Sequence, residues 1–288
     1  MANSSNELEQ RAGPQEPVAG EARSRARLGV PVSAAGVIYL LGAIIIYQSL
    51  VGLPTVGIIQ GLAPALEGKA AVAVSPQTPE IRYISHHALG LIAGSVLEAI
   101  GVVLLTIGLL FLLEAVRARA PEPSPAVRIT VMTGGFLGAF VMILAQIVRA
   151  VRTHEFATGH NFTQAAVERA VTTGAANQIV GYLDLLLPVV LVVGMIMALL
   201  RATRVGLLPR WLRTLGVIAA IILLPLFTGA FTLQIVPGAF MVALGFLFLG
   251  RLPGGDPPAW ASGEAIPWPT PQRGAAARGA AASAKAKG

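Results

Sequence analysis

The sequence contains no cysteine, which removes disulfides, thiolate metal sites and cysteine nucleophiles from consideration. Charge is almost as scarce. Asp, Glu, Lys and Arg make up 12% of the 288 residues, about half the share that a water-facing domain carries. A chain this poor in charge, with a mean hydropathy of +0.71, could not cover a soluble surface. What it has instead is long unbroken apolar runs, and these place it in the membrane class.

Crossing a hydrocarbon layer of about 30 Å takes about 20 apolar residues at 1.5 Å rise each. The runs predict an all-α, polytopic transmembrane bundle of six helices: 32–53, 86–115, 128–150, 177–200, 212–230 and 232–250. The last two come from one apolar stretch, 214–250, which is too long for a single span. Pro225, Gly229, Pro237 and Gly238 near its middle supply the break. The first run is of full span length and carries Tyr39, Tyr47 and Gln48, so it reads as an uncleaved signal-anchor rather than a signal peptide.

The positive charges orient this bundle. Numbering the hydrophilic segments alternately from an inside N-terminus places 16 Lys and Arg residues inside and 5 outside. That bias follows the positive-inside rule and predicts cytoplasmic N- and C-termini in a plasma membrane, the bacterial inner membrane. It also accounts for the net charge of +7 without invoking specific nucleic-acid binding. Three domains follow. Residues 1–29 are a disordered cytoplasmic tail, 30–252 the transmembrane domain, and 253–288 a disordered Pro/Trp-rich then Ala/Lys-rich tail, by composition. The bilayer is the expected partner, with anionic lipid attracted to the basic tails. Trp260 and Trp268 fit either a headgroup-level aromatic belt or an extended linker. In the outer loops, 54–68 is apolar enough for an interfacial or re-entrant segment, and 162–171 reads as a short amphipathic helix.

Ionisable residues inside a span are costly and need an account. Glu98 lies near the middle of the second helix and Asp184 a third of the way into the fourth. Gly90, Gly94, Glu98, Gly101 and Gly108 share one helix face, and a glycine face lets another helix approach closely, so Glu98 points at protein. Asn177, Gly181, Asp184 and Pro188 share a face likewise, and Pro188 frees a backbone carbonyl near Asp184. With the topology above, the polar residues within the spans gather in their outer halves. Such one-sidedness predicts a polar pocket opening outward, with Glu98, Asp184, Arg149, Gln146 and Asn177 as candidate ligand-binding residues and Arg149 the only obvious cation to pair with the carboxylates. The competing account makes the same residues interhelical hydrogen-bonding groups that bind nothing.

Catalytic signatures are lacking. Gly61 to Lys69 has the wrong length for a phosphate loop, His154-Glu155 is not followed by a second metal-ligand histidine, and Gly181-Tyr182-Leu183-Asp184 has no partner aspartate in another span. The four histidines (His86, His87, His154, His160) fall outside the membrane at spacings that match no metal motif. No cofactor, metal or enzymatic activity is therefore expected. Glu114 and Arg117 read as a helix-surface ion pair. The stretches SAAGVIYLLGAI, GLLPRWLRTLGVIAAI and GAFMVALGFLFLGRLP resemble an uncharacterised six-helix family of bacterial integral membrane proteins. The resemblance covers roughly residues 30–252 and implies the fold but no activity.

Overall fold

A computed structural model describes residues 15–54, 75, 77–120, 125–159, 162–163, 166–167, 175–224, 231–252 and 255–266. These are helical throughout their regular parts. In chain order the helices are α1 (Gln15–Leu50), α2 (Thr78–His86), α3 (Ala88–Arg119), α4 (Pro125–Thr158), α5 (Ala175–Arg204), α6 (Arg210–Ile222), α7 (Phe231–Phe248) and α8 (Pro258–Ser262). Four of them, α1, α3, α4 and α5, are long and apolar enough to cross a membrane, and α7 is a shorter apolar helix.

The apolar stretch 214–250 does break in two, but not as a pair of full spans. Helix α6 has 13 residues, a rise of about 20 Å, which is less than a bilayer core requires. Pro237 and Gly238, expected to help break the stretch, lie inside α7 instead. Pro225 and Gly229 lie outside the described residues.

Neighbouring helices close a ring. Helix α1 packs on α3, α3 on α4, α4 on α5, α5 on α6, α6 on α7, and α7 returns to α1. The tightest packing joins α1 to its two neighbours, and small residues explain it. A Cβ placed on Gly94 would meet Ile46 and the carbonyl of Gly42, one on Gly101 would meet Tyr39 and Ala35, and one on Gly108 would meet Val32. On the other side of α1, Gly36 lies against the backbone of Gly238, and Gly245 against Ser33. Lipid offers no hydrophobic reward for helix association, so contacts of this kind must supply it through close dispersion packing. Inside helix α4, a π-turn at Thr133–Leu137 sets Gly134 against the backbone of Leu191 and Gly135 against Thr106. Those two glycines let α3, α4 and α5 converge.

The arginine-rich segments gather at one end of the ring. Glu21 of α1 pairs with Arg119 of α3 at 2.7 Å, Arg25 of α1 pairs with Asp256 at 2.7 Å, and Trp260 of α8 donates its indole N–H to the carbonyl of Leu207 between α5 and α6 at 2.9 Å. At the far end α2 covers α4. There the Tyr83 hydroxyl donates to the carbonyl of Val51, and Ile81, Phe156 and Val167 form a small apolar cluster.

Several expectations are corrected here. Helix α1 begins at Gln15 rather than 32, so the boundary at 29 falls inside a helix whose Arg25 is buried. Residues 255–266 do not form a disordered tail. They include α8, whose Trp260 is buried against the helix ends. In both cases the ordering comes from ion pairs between distant segments, which composition does not display. Arg117 makes no ion pair with Glu114 among the described residues; Arg119 holds Glu21 instead. Trp268, the 55–74 loop and most of 162–171 lie outside the described residues.

The glycine contacts generate a direct expectation. A Cβ at 42 would stand 2.6 Å from the Gly94 carbonyl and 2.8 Å from the Glu98 amide, and backbone cannot swing aside. Gly42→Ala should lose about 1–3 kcal/mol, the usual cost of overpacking. Gly181→Ala, with nothing within 4 Å, should be neutral or slightly stabilising. Thermal unfolding in detergent checks both; equal melting temperatures for the two variants would contradict the packing.

Candidate functional site

The half of the ring nearest the arginines is solid. Leu105, Leu109 and Leu112 of α3, Met195 and Leu199 of α5, and Phe240 and Leu244 of α7 have essentially no exposed surface. Toward the other end the helices leave between them a partly open cavity of about 480 Å³.

Each long helix lines the cavity at helical spacing. Helix α1 contributes Tyr39, Ala43, Ile46, Tyr47 and Leu50; α3 contributes Leu91, Ser95, Glu98 and Val102. From α4 come Gly134, Gly138, Met142, Gln146 and Arg149, and from α5 Asp184, Pro188 and Leu191. Ile222 and Leu223 at the end of α6 and Gln234 of α7 complete the wall. Steps of three, four and seven put these side chains on a single inward face of each helix.

The lining is graded. Leu50, Ile84 and the exposed Arg149 stand toward the end away from the arginine cluster, whereas Val102, Gly134 and Leu191 border the packed half. Glu98 lies about 15 Å along α3 from its start, at 1.5 Å per residue. Its position is fixed by α1: a Cβ on Gly42 would stand 2.9 Å from Glu98 Cγ, so the side chain passes directly over that glycine. Tyr39 donates its hydroxyl proton to Oε1 of the buried Gln234, tying α1 to α7 at the cavity wall. Pro188 has no N–H, so the carbonyl four residues earlier, that of Asp184, lacks its helical donor.

Glu98, Asp184, Arg149 and Gln146, four of the five residues singled out from the sequence, share this cavity. The fifth, Asn177, does not line it. It lies two helical turns nearer the start of α5 than Asp184, about 10 Å further out, so sharing a face with Asp184 carries it past the mouth. Among the described residues, neither carboxylate takes part in a salt bridge, and Arg149 makes no ion pair within 4 Å. Tyr39 and Tyr47 entered the sequence reading only as marks against a signal peptide, not as candidate cavity residues. The clue was available: Tyr39, Ala43 and Tyr47 follow one another at steps of four and so share one face of α1.

Compared with family models, curated proteins and solved structures, the chain finds no match.

The cavity implies a pattern of solvent access that the cysteine-free sequence makes easy to read. Single cysteines at Glu98 and Asp184 should react with a water-soluble maleimide, whereas one at Leu109, in the packed half, should react at least tenfold more slowly. Equal rates at 98 and 109 would mean that Glu98 does not face a hydrated space.

Proposed function

We propose that this chain is a six-span integral membrane protein of the bacterial inner membrane, with both termini on the cytoplasmic, arginine-rich side, that binds a small polar or cationic ligand in its outward-facing cavity. Helices α6 and α7, the two parts of the apolar stretch 214–250, would supply the last two spans. The resemblance of residues 30–252 to an uncharacterised six-helix bacterial family agrees with this architecture.

One observation carries the reading. Glu98, Asp184 and Arg149, on three different helices, border one cavity without neutralising one another in a salt bridge. Charges placed within a bundle are costly and normally pair; a ligand supplies the missing partner. The lining carries two carboxyl groups against one guanidinium, an acidic excess that favours a cation over an anion. Tyr39 and Tyr47 add aromatic rings to the lining, the kind of side chain that attracts an organic ammonium. Leu50, Val102 and Leu191 accommodate an apolar substituent. Transport of that ligand would follow if the packed half of the ring can also open.

A second reading has its own support. The Tyr39–Gln234 hydrogen bond shows polar groups in this cavity wall holding helices together. An accessory membrane protein, packing with partner proteins or lipids, could use Glu98 and Asp184 in the same way.

Ligand-induced stabilisation separates the two. The purified protein is unfolded thermally with tetramethylammonium or benzylammonium chloride, against sodium chloride at equal ionic strength. Binding to the folded state alone raises stability by about 2.7 kcal/mol at a hundredfold excess over Kd. Wild type should show a saturable rise in melting temperature. Glu98→Gln should fold normally and lose the rise, and Asp184→Asn should reduce it. Variants that melt lower, in a protein whose wild type responds to neither ammonium ion, would favour the accessory role.

A further inference from the structure

The end of the molecule opposite the cavity carries a construction that ligand binding does not use. Helix α7 ends at Phe248 and turns off at Gly250, whose φ of +68° is open to glycine but strained for other residues. The next amide, of Arg251, bonds back to the carbonyl of Phe246 at 3.0 Å, a Schellman turn. Beyond it, residues 255–262 pass back over the helix ends. Asp256 accepts two hydrogen bonds from Arg25 of α1, at 2.7 and 3.1 Å. The carbonyl of Ala259 accepts two from Arg119 of α3, at 3.0 and 2.9 Å. Trp260, 6% exposed, lies between the two guanidinium groups, 4.6 Å from that of Arg25 and 5.3 Å from that of Arg119. Its ring is parallel to Phe111 of α3 and edge-on to Phe248 of α7. Its N–H reaches the Leu207 carbonyl between α5 and α6 at 2.9 Å.

One short segment thus touches α1, α3, α7 and the α5–α6 turn. The seat is shaped for it. Helix α5 ends at a second Schellman turn, with Gly206 at φ +83° and the Leu207 amide bonded to the Ala202 carbonyl at 2.9 Å; any Cβ at 206 would collide with the carbonyl of Ile266. The seat joins core packing to polar contacts. The ring of Trp260 belongs to the hydrophobic core, while Arg25 and Arg119 hold the segment from the ends of α1 and α3. At the end of a bundle, guanidinium groups that lose such partners can take up water, and Arg119 would keep Glu21.

We propose that residues Gly255–Ser262 form a clasp that holds the arginine-rich end of the helix ring closed, so that its release opens the packed half toward that side. As the regulation of transport through the cavity, the clasp rests on the ligand-binding reading above; as a lock on the helix ends it does not, and the two fail separately.

The test uses the full-length protein in sealed vesicles, with a single cysteine replacing Thr106. Thr106 is fully buried on α3 beside the π-turn, in the packed half next to the cavity floor, and cysteine is close to it in size. An impermeant maleimide is applied separately from each side. With the clasp intact, labelling should be slow from both sides. Trp260→Ala should raise the rate at least tenfold from the arginine-rich side only, and Asp256→Ala should raise it in the same direction by less. Unchanged rates in both variants would overturn the clasp, and so would an equal rise from both sides, which would mark general loosening. Should Trp260→Ala not fold, Asp256→Ala decides alone: a one-sided rise supports the clasp, and no rise or a two-sided one ends it. No ligand is needed, so a clasp confirmed in a protein that ignores ammonium ions would refute ligand binding alone.

Discussion

Everything else in this structure depends on how closely α1 can approach α3 and α7. In lipid a leucine gains nothing by leaving the acyl chains for another helix, so association rests on atoms meeting at short range. Glycines at 36, 42, 94, 101 and 108 strip the contact surfaces to backbone over much of the length of α1. The approach also fixes rotation. With Gly94 and Gly101 of α3 pressed on α1, Glu98 between them has nowhere to go but across Gly42 and into the space enclosed by the ring. A charge that would be expelled from lipid is thereby held in protein by residues that carry no side chain.

From the same contacts follows the asymmetry between the two halves. Where the π-turn of α4 lets Gly134 and Gly135 draw α3 and α5 together, leucines, methionine and phenylalanine fill the ring completely. Beyond that level the helices leave a space whose mostly apolar lining includes two carboxylates, an arginine, two glutamines and two tyrosines. The arginines at the packed end have a different task. Arg25 and Arg119 fasten the returning C-terminal segment to helix ends that hydrophobic packing alone would leave open to water.

Much of this was legible in the residues. The apolar runs gave the helical class and all four long helices, with ends differing mostly by a few residues; the exceptions are the start of α1, at Gln15 rather than 32, and the end of α4, at Thr158 rather than 150. The glycine row around Glu98 gave its orientation, because spacing of three and four is a statement about one helix face that needs no partner. Spacing also brought Asp184, Arg149 and Gln146 toward one cavity, though it could not tell that Asn177 lies too far along α5 to reach it. What stayed hidden depends on pairs far apart in the chain. Arg25 and Asp256 are separated by 231 positions, and each sits in a segment whose composition taken alone reads as disordered. Hydropathy likewise measures apolar extent and not hydrogen bonding, so it missed the early end of α6 at Ile222 and the π-turn within α4.

The register of α1 on α3 is the claim beneath all the others, and the absence of native cysteine permits a direct test. A Cβ at Gly90 would stand 3.4 Å from Ser49 Cβ, close to the 3.5–4.5 Å span of a disulfide. The double variant Ser49→Cys, Gly90→Cys should cross-link under mild oxidation in the membrane, with α1 then joined to α3 by a reducible bond detectable after proteolysis between them. Failure to cross-link in a protein that is otherwise folded would mean that α1 faces α3 differently, and that Glu98 is not directed into the cavity.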